Sequence, residues 1–344
     1  MTMQDIANGI RNNGKNISLL YAFNSTGKTS LSLALERLIG DDNVLCYNAF
    51  TEDIFTWDNE TFDFNINDKL FLNLIQEQGI ENEIANNFKL LTNSKIEPKF
   101  DFVEQKVSFR LATGDDKAVE SIKISRSEES IFIWTTFYTY LATAIETLMD
   151  NEEDRSTNIF DELKYVIIDD PVSSIDDTRI ISVAVALSEL IKKYQGNKVR
   201  FLLTTHHALF YNVLYNELNI KNGKKIAYLL SKNNNELTLA ERRTDSPFSY
   251  HLSVLSELKI AVENGDIKKY HFNMFRNLLE KTSNFFGFEK WSDCLSENSE
   301  FIRKINLYSH SSLSDLEYKE ISDEDKHIFQ DEFNTFVSKY AFRV

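Results

Sequence analysis

The pattern of apolar and polar positions predicts an α/β region in the first two thirds of the chain. Wholly apolar runs such as residues 165–168 are typical of strands buried on both faces of a parallel sheet. Helical patterns alternate with these runs, which favours a largely parallel sheet covered by helices. The predicted strands are residues 17–21, 43–47, 165–168 and 199–204, and the predicted helices include residues 77–91, 130–149, 178–194 and 208–218.

Two segments of alternating apolar and polar residues predict antiparallel hairpins in the same region. Residues 100–125 alternate around a turn at residues 113–116, and residues 226–230 and 236–239 flank three consecutive asparagines. The sheet should therefore be mainly parallel, with antiparallel additions.

Past Asp245 the strand patterns stop and only helical periodicity remains. We therefore predict two domains, an α/β domain at residues 1–244 and an all-α domain at residues 245–344. The predicted helices of the second domain are residues 250–263, 268–286, 299–310 and 323–340.

Composition supports a globular protein of two domains. The chain has 344 residues, of which 42% are apolar and 12% aromatic, enough to bury a sizeable core. Two cysteines form no disulfide framework, no apolar run reaches the ~18 residues that span a bilayer, and residues 1–15 are too polar for a signal peptide. We expect a cytoplasmic protein with no membrane partner.

The net charge of −15 at first sight opposes a nucleic-acid partner. Bulk charge governs solubility and long-range steering, however, whereas contacts depend on local patches. Basic residues do cluster, at Lys192, Lys193, Lys198 and Arg200, at Lys221, Lys224 and Lys225, at Arg242 and Arg243, and at Lys268, Lys269, Arg276 and Lys281.

A phosphate-binding loop is predicted between the first strand and the helix after it. The loop ends in Gly27-Lys28-Thr29, although Ala22 stands where this motif has its first glycine. Backbone N–H groups and the helix N-terminus would bind phosphates, Lys28 adds a charge, and the Thr29 hydroxyl suits Mg²⁺. The predicted nucleotide-binding residues here are Asn24, Ser25, Thr26, Gly27, Lys28, Thr29 and Ser30.

Two carboxylates end the buried strand at residues 165–168. Ligands of open α/β sheets collect at the carboxyl ends of strands, so Asp169 is expected to hold Mg²⁺ together with Thr29. Asp170 is the candidate for polarising a water that attacks the γ-phosphate. A pair of carboxylates that only caps a turn is the simpler interpretation if these residues are taken alone.

Three further elements occur in the order found in ATP-binding-cassette proteins. Ser125 and Glu128 open a long helix at the place of the signature segment, Asp176 follows as the D-loop, and His206 ends a strand where the switch histidine lies. This similarity implies a head-to-head dimer in which Ser125 of one protomer completes the nucleotide site of the other. Ser25 and Ser127 replace glycines, so nucleotide binding is expected and fast hydrolysis is not.

Sequence blocks along nearly the whole chain resemble the PrrC-like anticodon nucleases. The blocks are YAFNSTGKTSLS, CYNAFTEDIFTWDNE, IKISRSEESIFIWTTFYT, YVIIDDPVSSIDD, LLTTHHALFYNVLYNEL, FSYHL, YHFNMFRNLLEKTSNFFG and INLYSHSSLS. The resemblance implies a cassette-type ATPase domain followed by an all-α, HEPN-like ribonuclease domain. It also implies cleavage of tRNA(Lys) on the 5′ side of the wobble base, leaving a 2′,3′-cyclic phosphate and a 5′-OH.

The resemblance assigns the catalytic residues as Arg276, Glu280 and His310, in a reaction that needs no metal. Arg276 would stabilise charge on the phosphorane and His310 would move a proton. Glu280 is either a second proton carrier or the group that orients Arg276. Without the family context, Arg276 and Glu280 are a simple i, i+4 ion pair on a helix.

RNA contacts are also implied, at Asp245, Ser246 and Arg303. A carboxylate at Asp245 could pair with a cationic group on a modified wobble uridine. Arg303 and His310 also fit the HEPN spacing of arginine and histidine, so Arg303 is either a second catalytic arginine or a contact to the RNA backbone. Phe248, Tyr250 and Tyr270 are candidates for stacking on splayed bases.

Regulation is implied by the resemblance alone. It predicts GTP or ATP with Mg²⁺ as activating nucleotide, dTTP as a stabilising ligand, a homodimer or higher homo-oligomer, and a type I restriction-modification complex as silencer in phage defence. The alternative function is a nuclease-inactive cassette ATPase that gates a partner effector. A DNA-repair head of the Rad50 or SMC type is disfavoured because only about 140 residues separate Lys28 from Asp169, too few for a long coiled coil.

Overall fold

The computed structural model divides the chain into two compact units, Met1–Pro247 and Phe248–Val344. The predicted domain boundary after residue 244 falls at residues 243–249, outside the described residues. The structure describes residues 1–48, 53–111, 121–173, 175–194, 196, 198–220, 223–233, 236–242, 250–295, 299–309 and 321–342.

The first unit is an α/β fold built on a six-stranded sheet in the order β10-β9-β1-β8-β7-β2. All neighbours are parallel except β9 and β10, which form the predicted antiparallel hairpin. The predicted mainly parallel sheet is therefore confirmed. The strands of this sheet are β1 (Ile17–Ala22), β2 (Val44–Tyr47), β7 (Tyr165–Asp169), β8 (Arg200–Thr205), β9 (Lys225–Asn233) and β10 (Glu236–Arg242).

Strand β1 lies inside this sheet, and its side chains alternate between two hydrophobic cores. Ile17, Leu19 and Tyr21 belong to one core, and Leu20 and Ala22 to the other. Burial on both faces explains why this strand is apolar apart from the buried Ser18. The helices of this unit are α1 (Met3–Asn12), α2 (Lys28–Ile39), α3 (Lys69–Gln78), α4 (Glu81–Thr92), α5 (Arg126–Met149), α6 (Asp177–Lys193) and α7 (Ala208–Glu217).

A second sheet of four antiparallel strands has the order β3-β4-β6-β5. Helix α5 packs against it through Phe132, which stacks on Phe64 at 5.6 Å and meets Phe109 edge-on at 5.1 Å. Aromatic packing of this kind explains the many phenylalanines of this region. The strands are β3 (Phe55–Asp58), β4 (Asp63–Ile66), β5 (Ile96–Asp101) and β6 (Lys106–Leu111).

Two predictions for this region differ from the structure. The hairpin predicted within residues 100–125 is formed by β5 and β6 instead, and its turn lies at residues 102–105, where Gln105 takes a φ of +56°. The turn predicted at residues 113–116 lies outside the described residues. The helix predicted at 77–91 corresponds to α4 but begins later, at Glu81, because Gly79, at a φ of +62°, separates it from α3.

The second unit is all helical where the structure describes it, as predicted. Its core is rich in phenylalanine, with Phe275 contacting Phe301, Phe329, Phe333 and Phe336 at 5.3–5.9 Å between ring centroids. No helix among the described residues of either unit is long and apolar enough to cross a membrane. The helices here are α8 (Tyr250–Asn264), α9 (Lys269–Phe286), a short 3₁₀ helix (Trp291–Cys294), α10 (Ser299–Ser309) and α11 (Asp323–Tyr340).

Candidate functional site

The phosphate-binding loop joins the carboxyl end of β1 to the first turn of α2. Ser25 and Gly27 both take left-handed φ angles, of +63° and +110°. The φ of residue 27 is what favours glycine, since the nearest atom to a Cβ there would be Cε of Met3, the end of a flexible side chain. Helix α2 starts at Lys28, so the N–H groups of its first turn have no partners within the helix and are available to an anion.

Lys28 is folded back over its own loop. Its ammonium donates to the carbonyl oxygens of Ala22 and Phe23, both at 3.3 Å, and to Oδ1 of Asn24 at 3.4 Å. The side chain is only 8% exposed and its Nζ lies 3.4 Å from Oδ2 of Asp170. The charge expected to bind phosphates is therefore held at the loop by the carboxylate of Asp170, the residue that follows β7.

Asp170 is fixed by contacts from β8. Its backbone takes a φ of +55°, and its N–H donates to the carbonyl oxygen of Thr204 at 2.9 Å. Its carboxylate accepts from the Thr205 hydroxyl at 3.1 Å and the His206 N–H at 3.2 Å, and it pairs with His206 Nδ1. Burial alone raises the pKa of Asp170, but the His206 hydrogen bond and the Lys28 charge outweigh burial and hold it below its ordinary value.

Asp169 ends β7, and its carboxylate accepts a hydrogen bond from the Thr204 hydroxyl. Burial raises the pKa of Asp169, and the hydroxyls of Thr204 and Thr29 offset this effect only in part, so Thr29 lies close to the carboxylate. A hydroxyl in the first turn of α2 and a buried carboxylate at the end of β7 supply oxygen ligands of the kind Mg²⁺ prefers, so these two residues fit the ion.

The predicted signature and D-loop residues form a second cluster. Ser125 caps α5 in a capping box with Glu128, whose Oε2 accepts from the Ser125 hydroxyl at 2.8 Å. Ser127 donates to Oδ2 of Asp176 at 3.0 Å, and Arg179 lies 3.6 Å from the same oxygen. The hydroxyl that replaces a glycine therefore joins the N-termini of α5 and α6.

In the helical unit, Arg276 on α9 is held by two polar partners. Its Nε donates to Oε1 of Glu280 at 2.9 Å, and its Nη1 donates to Oδ1 of Asn306 on α10 at 3.0 Å. The guanidinium also lies over the ring of Trp291, 5.4 Å from its centroid. These contacts fix a largely buried cation beside a cleft of about 520 Å³ that Glu280, Trp291 and Asn306 line.

Of the residues predicted to contact RNA, only some lie in the part of the chain that the structure describes. Arg303 is an exposed residue of α10, and it is not among the side chains named above as contacts of Arg276. His310, Asp245 and Ser246 lie outside the described residues, as do Phe248 and residue 174. Of the three residues predicted to be catalytic, the structure describes Arg276 and Glu280 and brings them into contact.

Sequence reasoning missed Asn306, Trp291, Thr204 and Thr205. The two threonines contact Asp169 and Asp170 because β8 pairs with β7 in a register that sets Thr204 opposite Asp169. The position of Asn306 gave a weak indication of a role at the site, since it lies one helical turn before His310 on the predicted helix. The position of Trp291 gave none, because its contact with Arg276 depends on the fold of the segment after α9.

The fold and these contacts define an α/β protein with a P-loop-type turn after its first strand and a helical unit that holds an arginine at a cleft. Comparison with curated proteins finds an anticodon nuclease of Escherichia coli, 40% identical over 332 residues that cover 87% of this chain and 82% of that protein. The chain belongs to the anticodon nuclease family. No family model matches the chain.

Solved structures with some likeness are heads of SMC ATPases. One is the Smc head bound to the C-winged helix domain of ScpA, with 11% identity, a TM-score of 0.37 and coverage of 62% of this chain and 61% of that one. Another is the SMC head domain from Thermotoga maritima, with 11% identity, a TM-score of 0.34 and coverage of 67% and 91%. TM-scores this low support no structural argument.

Proposed function

We propose that this protein is a nucleotide-regulated endoribonuclease that cleaves tRNA(Lys) in its anticodon loop, on the 5′ side of the wobble base. The observation that carries the proposal is the support of Arg276 by Glu280 and Asn306 at an open cleft, in a member of the anticodon nuclease family. A guanidinium held in this way can bind the non-bridging oxygens of a phosphate.

The reaction follows from the chemistry of ribose phosphates. A general base removes the proton of the 2′-OH, the oxygen attacks the adjacent phosphorus, and the P–O5′ bond breaks as the 5′ oxygen takes a proton. The products are a 2′,3′-cyclic phosphate and a 5′-OH, and no metal is needed. Arg276 stabilises the charge that builds on the phosphorane, and His310, on the family resemblance, moves the proton.

The contact between Glu280 and Arg276 favours one of the two roles considered for Glu280. Its Oε1 accepts from Nε of Arg276 at 2.9 Å, which fixes the guanidinium plane. Glu280 therefore orients Arg276, and Arg303, exposed on the next helix, contacts the RNA backbone. Asp245 and Ser246 keep the role of wobble-base contacts that the resemblance implies.

The first unit acts as a cassette-type nucleotide switch. Lys28 and the first turn of α2 would bind the phosphates of GTP or ATP, and Thr29 and Asp169 would hold Mg²⁺, which neutralises phosphate charge when bound. Head-to-head dimerisation would bring Ser125 of a second protomer to each site. Stabilisation by dTTP, silencing by a type I restriction-modification complex, phage defence and a cytoplasmic location complete the proposal on the resemblance alone.

Expression in bacteria tests the nuclease proposal directly. The wild-type chain should arrest growth and leave lysine tRNA cut in the anticodon, with 5′-OH ends that a polynucleotide kinase labels. His310→Ala and Arg276→Ala should each leave this tRNA intact at equal protein levels. Intact tRNA in all three strains, with nucleotide binding preserved, would instead support a nuclease-inactive ATPase that gates a partner effector.

A further inference from the structure

The cleft beside Arg276 has the size and composition of a nucleotide-binding site. Its volume of about 520 Å³ lies within the roughly 300–1,000 Å³ of small-ligand pockets. Seven of its nine lining residues are polar, and the apolar two are Trp291 and Ile302. One aromatic ring among polar groups suits a nucleobase, which offers a π face and a hydrogen-bonding edge.

We infer that Trp291 forms a stacking subsite for an unpaired nucleobase next to the scissile phosphate. The inference rests on the proposed nuclease function and adds a substrate contact to it. The Trp291 ring lies against Arg276, so a base stacked in the cleft has its phosphate within reach of that guanidinium. Stacking needs no particular base, which suits a splayed anticodon nucleotide.

The segment that carries Trp291 is anchored from several sides. The Lys290 N–H donates to Oδ2 of Asp293 at 3.1 Å, which caps the 3₁₀ helix. The carbonyl oxygen of Cys294 accepts from Nζ of Lys339 at 3.2 Å and from the Tyr340 hydroxyl at 3.3 Å. A ring on a fixed segment loses little entropy when a base stacks on it.

The polar lining complements the other parts of a nucleotide. Ser283 and Asn284 project from α9, and an amide can donate and accept at a base edge. Lys290 supplies a cation for a flanking phosphate, while Glu280 and Glu289 disfavour a phosphate inside the cleft and leave that space to base and ribose.

A protein partner is the competing occupant, because exposed aromatic residues lie near this end of α9. Phe285 is 86% exposed and Phe286 52% exposed. Protein interfaces have apolar, aromatic centres, however, whereas this cleft is mostly polar. The balance of the lining therefore favours RNA over a second protein surface.

The test measures binding of an anticodon stem-loop RNA of lysine tRNA to the full chain carrying His310→Ala, which prevents cleavage. In this background Trp291→Leu should weaken binding about tenfold or more, and Trp291→Phe should retain most of the affinity. Phe285→Leu is the matched control, since it removes an exposed aromatic ring at the end of α9 that does not line the cleft, and it should bind like the parent.

A coupling measurement separates stacking from a merely structural effect. An abasic residue is placed in turn at each RNA position that flanks the cleavage site. At one of these positions the abasic RNA should bind the parent protein about tenfold more weakly than the intact RNA does. At that position Trp291→Leu should bind the abasic RNA and the intact RNA with equal affinity. Additive losses at every position overturn the inference, as does equal binding of parent and Trp291→Leu. A change in oligomeric state with Trp291→Leu and none in RNA affinity assigns the cleft to a protein contact and also overturns it.

The two proposals fail in different ways. If the wild-type protein cleaves the tRNA and Trp291→Leu cleaves it with the same kcat/KM, the stacking subsite is wrong and the nuclease stands. If the wild-type protein cleaves no tRNA and its His310→Ala form binds no anticodon RNA, both are wrong.

Discussion

Lys28 of the phosphate-binding loop and Asp170 at the end of β7 form a buried ion pair, with 3.4 Å between Nζ and Oδ2. The same carboxylate oxygen contacts Nδ1 of His206 after β8. A phosphate bound by Lys28 would therefore compete with the Asp170 carboxylate for the ammonium group. A movement of that carboxylate would in turn change its contact with His206. On the proposed nucleotide-binding function, this one carboxylate would link binding at Lys28 to the position of His206.

Lys28→Ala should abolish nucleotide binding, because the loop then lacks the cation that meets the phosphates. Isothermal titration with GTP and ATP in the presence of Mg²⁺ measures this loss. Lys164→Ala, which removes an exposed lysine of the same unit, is the control and should bind normally. Unchanged affinity in Lys28→Ala would remove the assignment of the loop.

Asp170→Asn should retain nucleotide binding and slow hydrolysis by about 100-fold or more, the usual effect of losing a general base. The amide keeps the shape of the side chain and can still accept from Thr205 and the His206 N–H. Phosphate release under single-turnover conditions measures the effect, with the exposed Asp154→Asn as control. Hydrolysis at the parent rate would assign the attacking water to another group.

The approach of Lys28 to Asp170 could be predicted from the sequence because the signals for it are local. The apolar runs in the sequence predict two strands. Gly27 and Lys28 follow the first strand, and the carboxylates of Asp169 and Asp170 lie at the end of the second. Parallel strands then bring these ends to one edge of the sheet, whatever the detailed register. The contacts of Thr204 and Thr205 needed the register itself, which no local pattern gave.

Removal of Mg²⁺ should weaken nucleotide binding, because the ion proposed to be held by Thr29 and Asp169 is then lost. EDTA should lower the affinity of the wild-type protein for GTP or ATP by at least about tenfold, as loss of a metal site does. Asp169→Asn should bind with that lower affinity and should not respond to EDTA, because a buried amide is a poor ligand for Mg²⁺. An equal EDTA response in Asp169→Asn and in the wild type would contradict the assignment.

Asn306→Ala should reduce the rate of tRNA cleavage about tenfold, because Arg276 loses a hydrogen bond that fixes its guanidinium to α10. The effect should appear in kcat rather than KM, since the fixed guanidinium matters most when charge builds on the phosphorane. Leu307→Ala, at an exposed neighbour on the same helix, is the matched control. An unchanged kcat would show that Asn306 is not needed to position Arg276.

The helical unit could be predicted less fully than the nucleotide unit, for a physical reason. Helical periodicity located α8 to α11 within a few residues and placed Arg276 and Glu280 on one face. The partners that give Arg276 its environment, Asn306 and Trp291, lie 30 and 15 positions away along the chain. Their approach depends on how the helices pack, which a periodic pattern does not encode.

Acid should destabilise the helical unit through His271. The imidazole is 2% exposed, and its Nδ1 accepts from the Lys268 N–H at 3.0 Å. Burial, and then the nearby charge of Lys268, lower its pKa in the folded protein. Between the unfolded value of about 6.5 and this lower value only the unfolded chain binds the proton, so the free energy of unfolding falls as pH falls through that window.

Amide hydrogen exchange of α9, corrected for the intrinsic effect of pH, measures this loss because it reports the stability of the unit locally. Exchange should be insensitive to pH above about 7 and should accelerate as pH falls below about 6.5. His271→Gln offers an amide oxygen as acceptor in place of Nδ1 but cannot titrate, so its acceleration should be smaller. His327→Gln removes an exposed imidazole on α11 and should behave like the wild type. Parallel pH profiles for the wild type and His271→Gln would show that His271 does not cause the acid sensitivity.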